Sequence, residues 1–154
     1  MAQVSGAIAG AALLLPTLDG ATYTSIGGGT PTLGPNVSIL RGLLMEAVLT
    51  FILVLVILLA AVDKRLMCAP LAIGSALIVS ILAGGPISGA AVNPVVAFGP
   101  AVILSTESTS HWNDHWLYWV GAVLGSVVAA LSFRFILASV EKRTVCRDKD
   151  NVEK

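Results

Sequence analysis

Polar and apolar positions in this chain fall into long blocks rather than alternating at a strand's period of two, and the blocks predict helices of membrane-crossing length. A first apolar block covers residues 1–15, short for a full crossing and read as a partial transmembrane helix. Residues 16–41 are rich in Gly, Thr and Pro, with Gly27-Gly28-Gly29, and predict an extramembrane loop. A second block, 42–62, contains one ionisable residue, Glu46, and stops at Asp63-Lys64-Arg65. From Leu66 to Thr106 no Lys, Arg, Asp or Glu occurs over about 40 residues, twice what one crossing needs. That stretch predicts a helix over 67–84, ended by Gly84-Gly85-Pro86, and a separate segment over 87–104. A polar loop, 105–115, leads to a last transmembrane helix, 116–137, and a charged tail, 138–154.

Charge placement makes the topology testable. Lys64-Arg65 and the tail are both basic, which places both on the cytoplasmic side. The helix over 67–84 then leaves the cytoplasm and the last helix returns to it. Residues 87–104 must begin and end on the far face, so they dip in and come back as a re-entrant half-helix. Irregular backbone at membrane depth is tolerated only where protein buries it or water lines it. The pattern therefore points to a channel or transporter.

Asn93-Pro94 has the residue types of a helix start. Asn at the N-cap accepts from free backbone donors, and Pro at the first helical position forfeits a donor that had no partner. A helix from Pro94 to Leu104 would run roughly 16 Å, half the hydrocarbon thickness, with its electropositive end near the midplane. A partial positive charge there disfavours cations, while the Asn93 amide can donate to a neutral oxygen. The competing reading is an ordinary surface Asn-Pro turn, which the apolar flanks and the topology disfavour.

Composition agrees with a membrane chain: of 154 residues, 56 % are hydrophobic and 12 % charged. Cys68 and Cys146 lack disulfide or metal spacing and read as free thiols. The start lacks the positive leading region of a signal peptide. Gly6-xxx-Gly10 and Gly121-xxx-Gly125 have the spacing of close-packing helix faces. Trp112, Trp116, Tyr118 and Trp119 read as an interfacial aromatic belt. His111 and His115 are four apart, but their polar surroundings predict a solvated loop rather than a metal site. Arg134 is expected to snorkel, and Thr50 to hydrogen-bond between helices. Ser80, Ser88 and Ser105 have no basic partner in sequence reach. The chain shows no nucleophile–base pair, phosphate loop or metal cluster, so it predicts no enzyme, no cofactor and no nucleic-acid partner.

Four strings together resemble the second half of the aquaporin (major intrinsic protein) family: Ala69-Pro70-Leu71-Ala72-Ile73-Gly74, Leu82-Ala83-Gly84-Gly85-Pro86-Ile87-Ser88-Gly89, Asn93-Pro94, and Phe98-Gly99-Pro100-Ala101-Val102. The pattern is nearest that of the tonoplast-intrinsic group and its protist relatives. Ala2-Gln3 with Gly6-Ala7 resembles the family's third helix, Glu46-xxx-Thr50 its fourth, and Trp116-xx-Trp119-Val120-Gly121 its sixth. The resemblance implies an all-α membrane protein: half of an aquaporin-like helical bundle with one re-entrant half-helix. In the family two inverted repeats bring two such half-helices together at the midplane, and their dipoles exclude cations and protons. The first half of that pattern has no counterpart here, so the sequence reads as a fragment or a truncated gene product.

The resemblance also assigns roles. Asn93, Pro94 and Val95 stand at the pore motif, with Val95 replacing the family's usual Ala. Ile81, Ala90 and Val96 fall on three selectivity-filter positions, Val96 where the family usually has Arg. Gly89 lies in the pore loop. The matching Glu, here Glu46, accepts hydrogen bonds from pore-loop backbone; the other reading of Glu46 is an acid of the first helical turn near the interface. An aliphatic trio implies a wider, less polar constriction that passes water and small uncharged solutes such as glycerol, urea or ammonia. A homotetramer in a vacuolar, endomembrane or plasma membrane follows from the same resemblance; the basic residues already place the tail on the cytoplasmic side. Two other readings stay open: a secondary-transporter repeat, weakened by the lack of midplane ionisable groups beyond Glu46, and a product that conducts nothing alone.

Overall fold

The computed structural model describes residues 1–62, 68–107 and 109–137. The Asp63-Lys64-Arg65 turn, Ser108, Cys146 and the charged tail, on which the charge argument rests, lie outside the described residues. Seven α-helices occur among those described: α1 (Ala2–Ala12), α2 (Leu14–Thr17), α3 (Gly20–Ser25), α4 (Ile39–Val62), α5 (Ala69–Ser88), α6 (Pro94–Leu104) and α7 (Trp116–Ser132), the last continued by a π-helical turn over Phe133–Leu137. No strand is present among them, and three helices are long and apolar enough to cross a membrane. This is an all-α membrane fold.

Local chemistry explains where the helices begin and end. Asp19 caps α3, accepting from the Thr22 amide (3.0 Å) and hydroxyl (2.6 Å), which hold its carboxyl below the usual range. Pro70 sits in the first turn of α5, where its missing donor costs little. That helix does not stop at Gly84-Gly85-Pro86 as the sequence predicts. It runs four residues further, to Ser88, and ends on Gly89 in the left-handed conformation, φ 86°. Gly84 serves close approach instead of chain reversal, because a Cβ there would collide with Leu49 Cδ1 of α4. Pro86 falls in the closing turn, where it interrupts little of the hydrogen-bond ladder. The irregular segment therefore starts at Gly89, not at residue 87. The loop before α4 is also more ordered than a polar stretch implies: α3 and a 3₁₀ turn, Gly27–Gly29, lie within it, and α4 begins at Ile39.

Helices α4 and α7 run side by side in the same direction. A Cβ on Gly121 would lie 2.8 Å from Glu46 Cβ, and one on Gly125 would lie 2.9 Å from both Phe51 N and Thr50 Cβ. The Gly121-xxx-Gly125 face is thus spent inside the chain. Thr50 is buried there, but its hydroxyl makes no hydrogen bond among the described residues, contrary to the helix-to-helix bond expected of it. Gly6 and Gly10 meet nothing within 4 Å; α1 instead packs on α6 through Ala7, whose backbone would lie 2.6 Å from a Cβ on Gly99.

Helix α5 returns antiparallel to α4, with Gly84 beside Leu49 and Ser88 beside Glu46. The loop amide of Gly34 donates to Ile87 O at 2.9 Å, so the segment before α4 lies across the end of α5. The same end receives α7, whose Tyr118 hydroxyl donates to Ser88 O at 2.8 Å. At its far end α6 shares a cavity wall with the loop, where Leu104 and Glu107 face Thr24 and Leu33. The chain from Gly89 to His115 consequently begins and ends on one face, and α6 is a re-entrant half-helix.

Filling the α4–α7 contact should cost about 1–3 kcal/mol or more. We expect Gly125→Leu to lower the thermal unfolding midpoint in detergent by several degrees. Gly74→Leu, at a position whose Cβ would meet nothing within 4 Å, should leave it unchanged.

Candidate functional site: the loop joining α5 to α6 and its carboxylate anchor

The loop joining α5 to α6 is short and conformationally costly. Gly89, Ala90 and Val92 have φ of 86°, 51° and 45°. For the β-branched Val92 such a backbone is strained, on the order of 1–3 kcal/mol. Something must hold it, and Glu46 does. One carboxylate oxygen accepts from the Ser88 hydroxyl (2.6 Å) and the Ala91 amide (3.0 Å); the other accepts from the Val92 amide (2.9 Å). Glu46 is 0 % exposed, in the second turn of α4, so it is neither a first-turn acid nor one reaching for the interface.

The anchor has a second layer that the sequence did not disclose. Ser88 bridges Glu46 to the Ala90 amide (3.3 Å), and its carbonyl takes the Tyr118 hydroxyl. Tyr118 is 3 % exposed, hence no member of an aromatic belt, whereas Trp116 and Trp119 keep large exposed surfaces. No local sequence signal joins Ser88 or Tyr118 to Glu46, because the partners stand 30 and 42 residues apart.

Beyond the loop, Asn93 caps α6. Its Oδ1 accepts from the Val95 amide at 3.0 Å, leaving the amide NH₂ as its free donor group. Pro94 takes the first helical position. The far end of α6 is fixed by His111, whose Nε2 lies 2.9 Å from Ala101 O, and by Trp112, whose indole donates to the Ser105 hydroxyl at 2.8 Å. His115 is buried among Phe98, Trp112 and Tyr118, with both ring nitrogens unpaired among the described residues. A solvated histidine loop is therefore the wrong description of this segment. No group of three or more metal-ligating side chains occurs among the described residues.

Two of the three filter positions share a cleft. Ala90 and Val96 line an open cleft of about 300 Å³ together with Gly89, Ala91 and loop residues Gly29 to Thr32. Ile81 does not line it; half of its surface is exposed on α5, as is half of that of Val96 on α6. Val95 is buried, at 9 % exposure.

A re-entrant, Asn-capped half-helix whose loop hangs on a buried carboxylate narrows the possibilities sharply. The family model for major intrinsic proteins matches residues 1–133. The chain belongs to the major intrinsic protein family. Among similar proteins, probable aquaporin TIP3-2 of Arabidopsis thaliana is 44 % identical over 66 % of this chain and 38 % of its own length. Aquaporin TIP1-2 of Musa acuminata is 40 % identical over 86 % of the chain and 50 % of its own length, and aquaporin-8 of Notomys alexis 33 % over 97 % and 56 %. The chain thus spans about half the length of the aquaporins it matches, with TIP-type members among them.

Replacing Glu46 tests the anchor. In Glu46→Leu the Ala91 and Val92 amides lose their acceptors, at about 1–3 kcal/mol each. We expect a clear fall in the unfolding midpoint in detergent, a smaller one for Glu46→Gln, and a loss of about 1 kcal/mol for Tyr118→Phe.

Proposed function

We propose that this chain forms the second half of a passive membrane channel for water and small uncharged solutes such as glycerol, urea or ammonia. The observation that carries the reading is the half-helix α6. Its N-terminus is capped by Asn93, and the loop before it is fixed by Glu46. An immobile electropositive helix end with a side-chain donor suits a neutral oxygen and repels cations. Family membership supports the same class.

Solute preference follows from what surrounds that end. Ala90 and Val96 offer no charge and no side-chain donor, so the constriction favours size over strict hydrogen-bond matching. Large apolar side chains exposed on α5 and α6 (Ile78, Ile81, Leu82 and Val96) leave a surface for the opposite wall of the pore. Similarity to TIP-type aquaporins supports a vacuolar or other endomembrane location, with the plasma membrane as the alternative and the tail on the cytoplasmic side. A homotetramer with a pore in each subunit is the matching assembly. A coupled transporter is disfavoured because Glu46, committed to three hydrogen bonds, is not free to bind and release an ion.

The test joins this chain to the N-terminal half of aquaporin A from Dictyostelium discoideum, a relative 38 % identical over 88 % of the chain. Liposomes containing the joined protein should shrink in an osmotic gradient several times faster than empty ones, and those with the chain alone should not. Asn93→Asp should abolish the gain, and Val96→Arg should lower glycerol relative to water permeation. A correctly folded joined protein indistinguishable from empty liposomes would refute the channel reading.

A further inference from the structure

The cleft beside Ala90 and Val96 has a second wall, and it comes from the loop before α4. Gly29, Thr30, Pro31 and Thr32 line it opposite the pore-loop residues. The approach is close: a Cβ on Gly89 would lie 2.6 Å from Pro31 Cβ and 3.1 Å from the Thr32 amide nitrogen. The loop is tied down there, because the Gly34 amide donates to Ile87 O at 2.9 Å. Pro31 and Thr32 also border the larger cavity, about 550 Å³, that Glu107, His111 and Asp114 line. They form the ridge between that vestibule and the cleft.

The two walls differ in chemistry. Side chains on the α5–α6 side are aliphatic or absent: Ala90, Ala91, Val96 and two glycines. The loop side carries two threonines, Thr30 and Thr32. Thr32 is exposed and its side chain has no hydrogen bond among the described residues. Thr30 is 6 % exposed, and its hydroxyl is buried without a partner. A buried hydroxyl that pairs with nothing is a net cost to the fold. Since no bond fixes Thr30 in its rotamer, a turn about χ1 can carry that hydroxyl toward the cleft.

We propose that Thr30 and Thr32 are specificity-determining residues. On this reading they are the polar wall of a two-faced slot that accepts small polyols and amides, carbon skeleton against Ala90 and Val96 and hydroxyl or amide groups against the threonines. The proposal rests on the channel reading above and supplies the side-chain hydrogen bonds that Val96 cannot.

The experiment uses the joined channel and the chain itself. Changing both threonines to Val preserves shape and removes both hydroxyls; the glycerol-to-water and urea-to-water permeability ratios should each fall about fivefold, the worth of one hydrogen bond. Changing both to Ser should keep the wild-type ratios. In detergent, Thr30→Val should unfold at the wild-type temperature or higher, because an unpaired hydroxyl contributes nothing to the fold. A conducting channel whose ratios ignore both Val substitutions, or a Thr30→Val chain that unfolds several degrees lower, would overturn this assignment alone. A joined channel that conducts nothing with the native threonines in place would overturn the channel reading and this assignment with it.

Discussion

One buried carboxylate organises the functional half of this molecule. The backbone between Gly89 and Val92 takes left-handed conformations at three positions, two of them non-glycine. Left to itself it would relax and let α6 swing. Glu46 prevents this by accepting from two successive amides and the Ser88 hydroxyl, and burial makes each bond stronger than it would be in water. The Asn93 cap, the direction of α6 and the shape of the cleft all follow from where that loop is held.

The carboxylate must itself be held, and the helix packing does so. Gly121 lets α7 approach within contact of Glu46 Cβ, and Gly84 lets α5 approach Leu49 one turn further along α4. Tyr118 then locks the end of α5 from the α7 side. Small residues, usually credited only with helix association, here set the coordinates of an ionisable group. At the other end of α6, Trp112 and His111 perform the complementary task, so the half-helix is clamped at both termini.

Much of this architecture was legible in the sequence because its signals are local or periodic. Charge-free blocks gave the long helices, and the cap chemistry of Asn93-Pro94 gave the start of α6. Glu46 stood out as the one ionisable residue of its apolar block, but its role as loop anchor was legible only through family resemblance, since no spacing rule links it to amides 45 and 46 residues away. Ser88 and Tyr118 were not legible as parts of the anchor, because their significance arises from contacts that the fold alone creates. The end of α5 was misplaced for an instructive reason. Gly-Gly-Pro normally signals a stop, but here Gly84 makes room for Leu49 and Pro86 falls where the ladder is already ending. His115 misled in the same way: a polar stretch of sequence folds into an aromatic cluster.

Amide hydrogen exchange over the loop joining α5 to α6 measures the central claim most directly. With Glu46 intact, the Ala91 and Val92 amides should exchange slowly, as buried and bonded groups do. In Glu46→Leu they should exchange orders of magnitude faster, while the amides of α7 around Ala122 to Ala129 keep their protection. Unchanged protection at Ala91 and Val92 in that variant would show that the loop is held by something other than the carboxylate, and the account would be wrong at its root.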